Sequence, residues 1–291
     1  MSQTNHDVAG LREIAAGLAA EAAAFALQRR TEVFGGLAVN ADSSAVRAKT
    51  TPTDPVTVVD TETEGLLRRR LAQLRPSDAV LGEEGGGPAY GEGPEGVGDT
   101  VTWVLDPIDG TVNFVYGIPA YAVSVAAQVD GVSVAGAVAD VAGGRVYSAG
   151  RGMGAEVTDE RGRHQLRCTA VDELAMALVG TGFGYCARRR ARQAQVLAQM
   201  LPRIRDVRRI GSAALDLCMV AAGRLDGYYE YGLQPWDSAA GSLIASEAGA
   251  RVILPPTRTP DAGLVIAAAP GIADELLVAL QECGGFEPIE D

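Results

Sequence analysis

A short apolar run, Val101-Thr102-Trp103-Val104-Leu105, leads without a break into Asp106-Pro107-Ile108-Asp109-Gly110-Thr111-Val112-Asn113-Phe114. That order constrains the fold, because β-prone residues followed at once by carboxylates place the end of a buried strand at the edge of a sheet. Pro107 has no N–H and is expected to stop the ladder, and Gly110-Thr111 can turn the chain into a short helix from Thr111 to Tyr116. Asp106 and Asp109 offer hard oxygen ligands of the kind Mg²⁺ prefers, while the Gly110 and Thr111 amides at a helix start can hold a phosphate. A divalent ion beside an anion cradle points to phosphoryl chemistry. Taken alone, the same string also suits a strand end with an Asp turn and a capping Thr.

A chain of 291 residues, 47% hydrophobic and 21% charged, can bury a large core as one big domain or two modest ones. No apolar run approaches the roughly 20 residues of a membrane span, and no basic-then-apolar leader opens the sequence, so a cytosolic protein without a membrane partner is expected. Cys168, Cys186, Cys218 and Cys283 lack CxxC spacing, and His6 and His164 stand alone, which argues against zinc or a disulfide framework. The thiols are expected to be reduced and buried. A net charge of -12 disfavours nonspecific nucleic-acid binding and allows carboxylates to gather where cations neutralise them.

Ahead of the central motif, a helix is expected from Asp7 to Glu32, with Leu11, Ile14, Ala15, Leu18, Ala22 and Phe25 at helical spacing. In the next segment Asp54 can cap and Pro55 can open a second helix to Leu74, which would put Asp60 well inside it, a poor place for a carboxylate without a partner. Lys49 is the sole lysine, suited to a phosphate or carboxylate cluster, although a single lysine must fall somewhere. A strand over Ala79 to Leu81 runs into Gly82-Glu83-Glu84 and then into the glycine-rich stretch Gly85 to Gly98, expected to be a loop able to close over a site.

Past it, Ala120 to Val129 and Val132 to Val141 read as strands joined at Asp130-Gly131, followed by strands at Arg145 to Ala149, Glu156 to Thr158, Gln165 to Arg167 and Ala177 to Thr181. From there helices (Ala191 to Leu201, Ala213 to Ala222, Trp236 to Ala248, Ile272 to Leu280) alternate with strands (Val207 to Ile210, Gly227 to Glu230, Val252 to Leu254, Leu264 to Ala268). The pattern predicts an α/β fold in two subdomains of one unit: residues 1–150, α+β with the main metal and nucleophile motifs, and residues 151–291, α/β with substrate-binding elements and one metal ligand. Ser212 can cap the helix at Ala213, Glu230 ends a strand where an acceptor could meet a substrate hydroxyl, and Asp237 opens a helix; each also has a purely structural explanation. Gly180-Thr181-Gly182-Phe183-Gly184 lacks the spacing of a dinucleotide fingerprint, and no GK[ST] is present for a P-loop.

With these residues in hand, the chain resembles the inositol monophosphatases, Mg²⁺-dependent and lithium-sensitive phosphatases of cyclitol and sugar phosphates. The likeness spans nearly the whole chain and rests on GEE at Gly82 to Glu84, WVLDPIDGTVNF at Trp103 to Phe114 and PWDSAAG at Pro235 to Gly241, with further blocks at Lys49 to Asp60 and Arg208 to Glu230. Val112 replaces a frequent second Thr, and the Gly85 to Gly98 loop is unusually rich in glycine. The resemblance implies an αβαβα sandwich, usually a homodimer. It implies that Glu83, Asp106 and the Ile108 carbonyl hold one Mg²⁺ and that Asp106, Asp109 and Asp237 hold a second, metals about 4 Å apart serving a single in-line displacement. The Thr111 hydroxyl with Asp60 would take the proton of the attacking water. Gly110 and Thr111 amides would hold phosphate, Asp109, Glu230, Asp237 and the Ala213 backbone would lie on the substrate side, and Lys49 and Glu84 would stand behind the metals. The implied reaction is hydrolysis of myo-inositol 1-phosphate. The alternatives are another phosphomonoester (histidinol phosphate, fructose 1,6-bisphosphate, adenosine 3',5'-bisphosphate) or a metal-binding protein with a regulatory role, since some bacterial relatives contact the transcription machinery.

Overall fold

The computed structural model describes residues 7–35, 45–49, 54–87, 100–255 and 263–288. The chain runs α1 (Val8–Phe34), β1 (Val46–Ala48), β2 (Pro55–Thr57), α2 (Val58–Leu74), β3 (Ala79–Gly82), β4 (Val101–Asp109), α3 (Thr111–Tyr116), β5 (Ala122–Val129), β6 (Val132–Asp140), β7 (Arg145–Gly150), β8 (Ala155–Asp159) and β9 (Gly162–Gln165). It continues through β10 (Leu178–Thr181), α4 (Ala187–Met200), β11 (Asp206–Arg208), α5 (Ala213–Ala221), β12 (Gly227–Tyr231), α6 (Pro235–Glu247), β13 (Arg251–Ile253), β14 (Leu264–Ala268) and α7 (Ala273–Glu282).

These elements stack in five layers. Strands β3 to β9 form one sheet in chain order, antiparallel apart from the β3/β4 pair, and a second, mixed sheet has the order β11-β10-β12-β14-β13. Leu11, Ala15, Leu18 and Ala22 of α1 and Leu67 and Leu71 of α2 pack with Trp103, Leu105 and Val125 on one face of the first sheet. Its other face, through Val104, Ala126 and Val138, meets α5 and α6, whose far side reaches Tyr228, Val265 and Ala267 of the second sheet. Val196 and Met200 of α4 and Leu276 and Leu280 of α7 close the outer face with Ile266. The order α, β, α, β, α is the sandwich the resemblance implies, and its middle layer is thin: a Cβ on Gly136 would come 3.1 Å from Ala240 of α6, and one on Gly241 2.8 Å from Leu217 of α5.

Several local expectations change. Pro55 lies in β2, paired with β1, and the second helix starts three residues later at Val58 with Thr57 as N-cap. The Thr57 hydroxyl accepts from the Val59 and Asp60 N–H groups while Asp60 accepts from the Thr57 N–H, a reciprocal cap that wins over a proline start. Asp60 is therefore in the first turn rather than inside the helix. Pro107 does not stop the ladder: β4 pairs with β5 again at Asp109↔Ala122, with a register shift between Asp106 and Asp109. The turn at Glu160-Arg161 is tight, so Asp159 faces Gly162 and β9 ends at Gln165 instead of beginning there. Helix α4 begins at Ala187, so the Arg188 to Arg192 run lies within it; Arg189 is buried, and Arg192 Nη2 donates to the Gly284 carbonyl at 3.0 Å. Cys218 and Cys283 are buried, Cys168 and Cys186 only partly, and none is paired. Of the Gly85 to Gly98 loop, residues 88–98 lie outside the described residues. No helix among the described residues is long and apolar enough to cross a membrane.

Candidate active site

At the end of β4 the Ile108 side chain is buried with Leu105 in the α1/α2 layer, while the Asp106 and Asp109 carboxyls face the α5/α6 layer. Asp106 Oδ1 accepts from the Ile108 N–H at 3.0 Å, closing the loop on itself. Gly110 has φ 93°, and a Cβ there would lie 2.9 Å from the Ala120 carbonyl and 3.0 Å from the Gly211 carbonyl, so the turn needs glycine for both conformation and space. Asn113 then donates to the Ala120 and Ile210 carbonyls at 2.8 and 2.9 Å, and Arg30 of α1 donates to the Phe114 carbonyl at 2.8 Å while stacking on its ring. Short α3 is thus held at both ends. At its start, the Thr111 hydroxyl lies 3.1 Å from Asp60 Oδ1 and 3.0 Å from the Ile108 carbonyl; its single proton serves one acceptor at a time.

Three other elements complete the ring of acids. Asp109 Oδ2 accepts from the Ser212 hydroxyl at 2.5 Å and the Ala214 N–H at 2.7 Å, so the anion at the N-terminus of α5 is a side chain of this protein, supplied by β4. Asp237 stands in the first turn of α6, its Oδ2 accepting from the Gln234 N–H at 2.7 Å. Asp106, Asp109 and Asp237 each present an oxygen within 4.8 Å of the others. Glu83, at the end of β3, is in hydrogen-bond contact with Asp106 and pairs with Lys49 Nζ at 2.7 Å; the same ammonium reaches Glu84 at 2.5 Å.

Two positions that the sequence left unremarked support this ring. Thr57 anchors Asp60, and Thr57-x-x-Asp60 carries the capping-box signature that could have revealed it. One helical turn on, the buried Glu64 carboxylate accepts from the Glu84 and Gly85 N–H groups at 2.7 and 2.8 Å and from Arg68 at 2.7 Å, fixing the turn that carries Glu83. Gly82 and Gly85 leave room for it: a Cβ at either would sit within 2.7 Å of the Glu64 carboxylate. No local signal announces that contact.

The acids face a cavity of about 700 Å³ whose lining also includes Tyr185, Arg189, Arg209 and Glu230. Burial, followed by mutual repulsion, raises Asp106 and Asp237 well above the usual carboxylate range. Burial also raises Asp109 to about 6 and Asp60 to about 7, against the hydrogen bonds that favour their ionised forms. Glu83 is raised by burial even though Lys49 opposes the shift. Lys49 itself is raised, because Glu83 and Glu84 outweigh the cost of burying it. A pocket of converging carboxylate oxygens that cannot all hold their charge unaided, with no His beside them among the described residues, fits a hard divalent cation. Glu230, also in the lining, is raised to about 7 by burial, opposed by a hydrogen bond from Tyr228. Gly110, Thr111 and Ala213 also line the cavity, so every residue singled out for substrate or metal is at this site or, like Asp60 behind Thr111, in contact with a residue that is.

Known proteins place this geometry in context. A sequence profile of the inositol monophosphatase family matches residues 7–285. The Mycobacterium tuberculosis inositol-1-monophosphatase SuhB is 68% identical over 292 residues, covering 100% of both chains. The solved structure of Mycobacterium tuberculosis SuhB superposes with a TM-score of 0.80 at 62% identity over 97% of this chain and 100% of that one. The Escherichia coli Nus factor SuhB is 38% identical over 197 residues, 67% of this chain and 70% of that protein.

Proposed function

Because the chain belongs to the inositol monophosphatase family and is a phosphatase, we propose that it is a Mg²⁺-dependent phosphomonoesterase that hydrolyses myo-inositol 1-phosphate to myo-inositol and phosphate. The observation that carries the reading is the set of Asp106, Asp109 and Asp237 oxygens within 4.8 Å of one another, beside the Thr111–Asp60 pair. Glu83, Asp106, the Ile108 carbonyl, Asp109 and Asp237 would hold the metal, which when bound activates water and neutralises charge developing on the phosphate and the leaving oxygen.

The chain's own groups then divide the remaining work. Thr111 Oγ1 orients the attacking water, and Asp60 Oδ1, poised near neutrality, accepts the proton passed through that hydroxyl. The Gly110 and Thr111 N–H groups cradle phosphate oxygens. Glu230 accepts from a substrate hydroxyl, and Asp109, pinned to α5, and the Ala213 backbone meet other hydroxyls in the same cavity. Lys49 offsets the charge of Glu83 and Glu84. Residues 1–150 supply the nucleophile machinery and most metal ligands, residues 151–291 the substrate contacts and Asp237. The protein acts in the cytoplasm as a lithium-sensitive homodimer.

Phosphate release measured with and without Mg²⁺ on inositol 1-phosphate, histidinol phosphate, fructose 1,6-bisphosphate and adenosine 3',5'-bisphosphate tests the assignment. Inositol 1-phosphate should give the highest kcat/KM, and only with the metal. A higher value for any of the other three moves the substrate to that class, and absence of metal-dependent release from all four removes the enzymatic reading.

A further inference from the structure

The glycine run Gly180-Thr181-Gly182 matches no nucleotide-binding pattern, and the structure supplies another use for it. β10 and β12 are parallel neighbours with Gly180↔Tyr228 and Thr181↔Tyr229 in register, which carries Gly182 alongside Glu230. Tyr228 and Glu230, two residues apart on one strand, share the face toward α5. A Cβ on Gly182 would lie 1.8 Å from Glu230 Oε2 and 2.3 Å from its Cδ. On Gly180 it would lie 2.8 Å from Leu225, 3.0 Å from Asp216 Oδ1 and 3.2 Å from the Tyr228 ring. Neither glycine has a positive φ, so both are needed for space rather than for backbone conformation. In that trough the fully buried Tyr228 donates its O–H to Glu230 Oε2 at 2.6 Å. One carboxylate oxygen of Glu230 is thereby occupied from below, and the side chain reaches the cavity from a fixed base.

We propose that Gly182 and Tyr228 are the positioning residues that set substrate specificity, seating Glu230 so that its other oxygen accepts a hydroxyl of a polyol phosphate, a cyclitol or sugar carrying the scissile ester. This rests on the phosphatase reading above and adds to it what distinguishes a hydroxylated leaving group from a bare one. Metal ligands and Thr111 act on the phosphate, which every phosphomonoester shares; the Tyr228–Glu230 pair acts on the alcohol, which they do not.

The test compares inositol 1-phosphate with 4-nitrophenyl phosphate, whose leaving group has no hydroxyl besides the reacting oxygen, at saturating Mg²⁺. Tyr228→Phe keeps the ring and removes the donor. It should lower kcat/KM for inositol 1-phosphate by about 10- to 100-fold, mainly through KM, the range expected for a hydrogen bond to a charged group. The 4-nitrophenyl phosphate value should stay within about twofold. Gly182→Ala should give the same split, larger, and its melting curve shows whether the fold survives; Tyr228→Phe stands on its own if it does not. Adding Tyr228→Phe to Glu230→Gln should cost little beyond Glu230→Gln alone, because the tyrosine acts through the carboxylate. Independently of any substrate, ¹³C titration should find the Glu230 carboxyl of Tyr228→Phe above its wild-type value of about 7, since the hydroxyl favours the ionised form. Equal losses on both substrates, unchanged inositol kinetics, an additive double variant or an unmoved Glu230 titration would each overturn the inference. A wild-type protein that cleaves 4-nitrophenyl phosphate but not inositol 1-phosphate counts against the substrate assignment alone, and the variants are then compared on the polyol phosphate that the wild type prefers.

Discussion

Stripped of divalent cations, the folded protein should lose stability as pH rises from about 4 to 8, and Mg²⁺ should restore what is lost. Asp109 illustrates the sign. Its folded value is about 6, raised from an ordinary 3.8 by burial, so the unfolded chain releases this proton earlier than the folded one. The stabilisation linked to holding it is complete below 3.8 and gone once pH has passed 6. A shift of about 2 pH units is worth on the order of 3 kcal/mol, which for a chain of this size is roughly 6 °C in Tm. Asp106 and Asp237 move in the same direction, and because these groups titrate together their contributions do not add as independent sites. Thermal melts in chelator and in excess Mg²⁺, at constant ionic strength and pH 4, 5, 6, 7 and 8, should converge at the acid end and separate by about 6 °C or more at pH 8, since cation binding requires the deprotonated carboxylates. Asp106→Asn keeps the acceptor for the Ile108 N–H and removes the central charge. In chelator at pH 8 it should melt above wild type, and it should show no Mg²⁺ shift. Melting curves whose Mg²⁺ shift is the same at every pH, or survives in Asp106→Asn, would refute this account of the acidic cluster.

Other outcomes follow from the same geometry. Thr111→Ala and Asp60→Asn should each lower kcat by roughly 10² to 10⁴ with little change in KM, and the double variant should lose far less than the product of the two; fully multiplicative losses would separate the pair. Asp237→Asn should abolish Mg²⁺-dependent turnover while leaving a cooperative melt, so near-normal turnover at saturating Mg²⁺ would remove Asp237 from the ligands. Lithium should inhibit at millimolar concentration through the site of Asp106, Asp109 and Asp237, and inhibition insensitive to wide changes in Mg²⁺ would place it elsewhere. Glu64→Gln should weaken Mg²⁺ binding measured by calorimetry more than it lowers Tm, because the amide cannot match the carboxylate's bonds to the Glu84 and Gly85 N–H groups and Arg68.

What the sequence disclosed and what it hid divide along the range of the interactions involved. The layered fold, most of the long helices and the acidic motifs are local patterns of period, turn and charge, and they were legible. The start of α2 was misread because Asp54-Pro55 satisfies a local rule for a helix opening, while the pairing of β2 with β1 that overrides it joins segments without a shared pattern. Asp60 looked misplaced for the same reason; read from Thr57, it is a cap residue with one oxygen left for Thr111. Ser212 is legible as the cap of α5, but nothing near it names Asp109, 103 residues away, as the carboxylate that its hydroxyl holds. The spacing of Gly180 and Gly182 says only that side chains are absent, and the chain that fills the space is on another strand.

The shifted register between Asp106 and Asp109 has a consequence for how this motif can change. In an unbroken strand successive residues point to opposite faces, and so do residues three apart; the neighbours Val104 and Leu105 keep this alternation, one toward α5 and α6 and the other toward α1 and α2. The irregularity reverses the alternation once, sending Ile108 to the side of Leu105 and leaving both aspartates on the other. The register shift and the spacing of the two aspartates are thus tied to each other. Exchanging Pro107 or Ile108 for another residue keeps both, whereas straightening the strand with the spacing unchanged would turn a carboxylate toward the apolar layer of Trp103, Leu105 and Phe114. Losing one position would leave the aspartates two apart, on one face of a regular strand. A lineage can therefore explore side chains at these two positions one at a time, but the extra residue and the register shift can only be lost together.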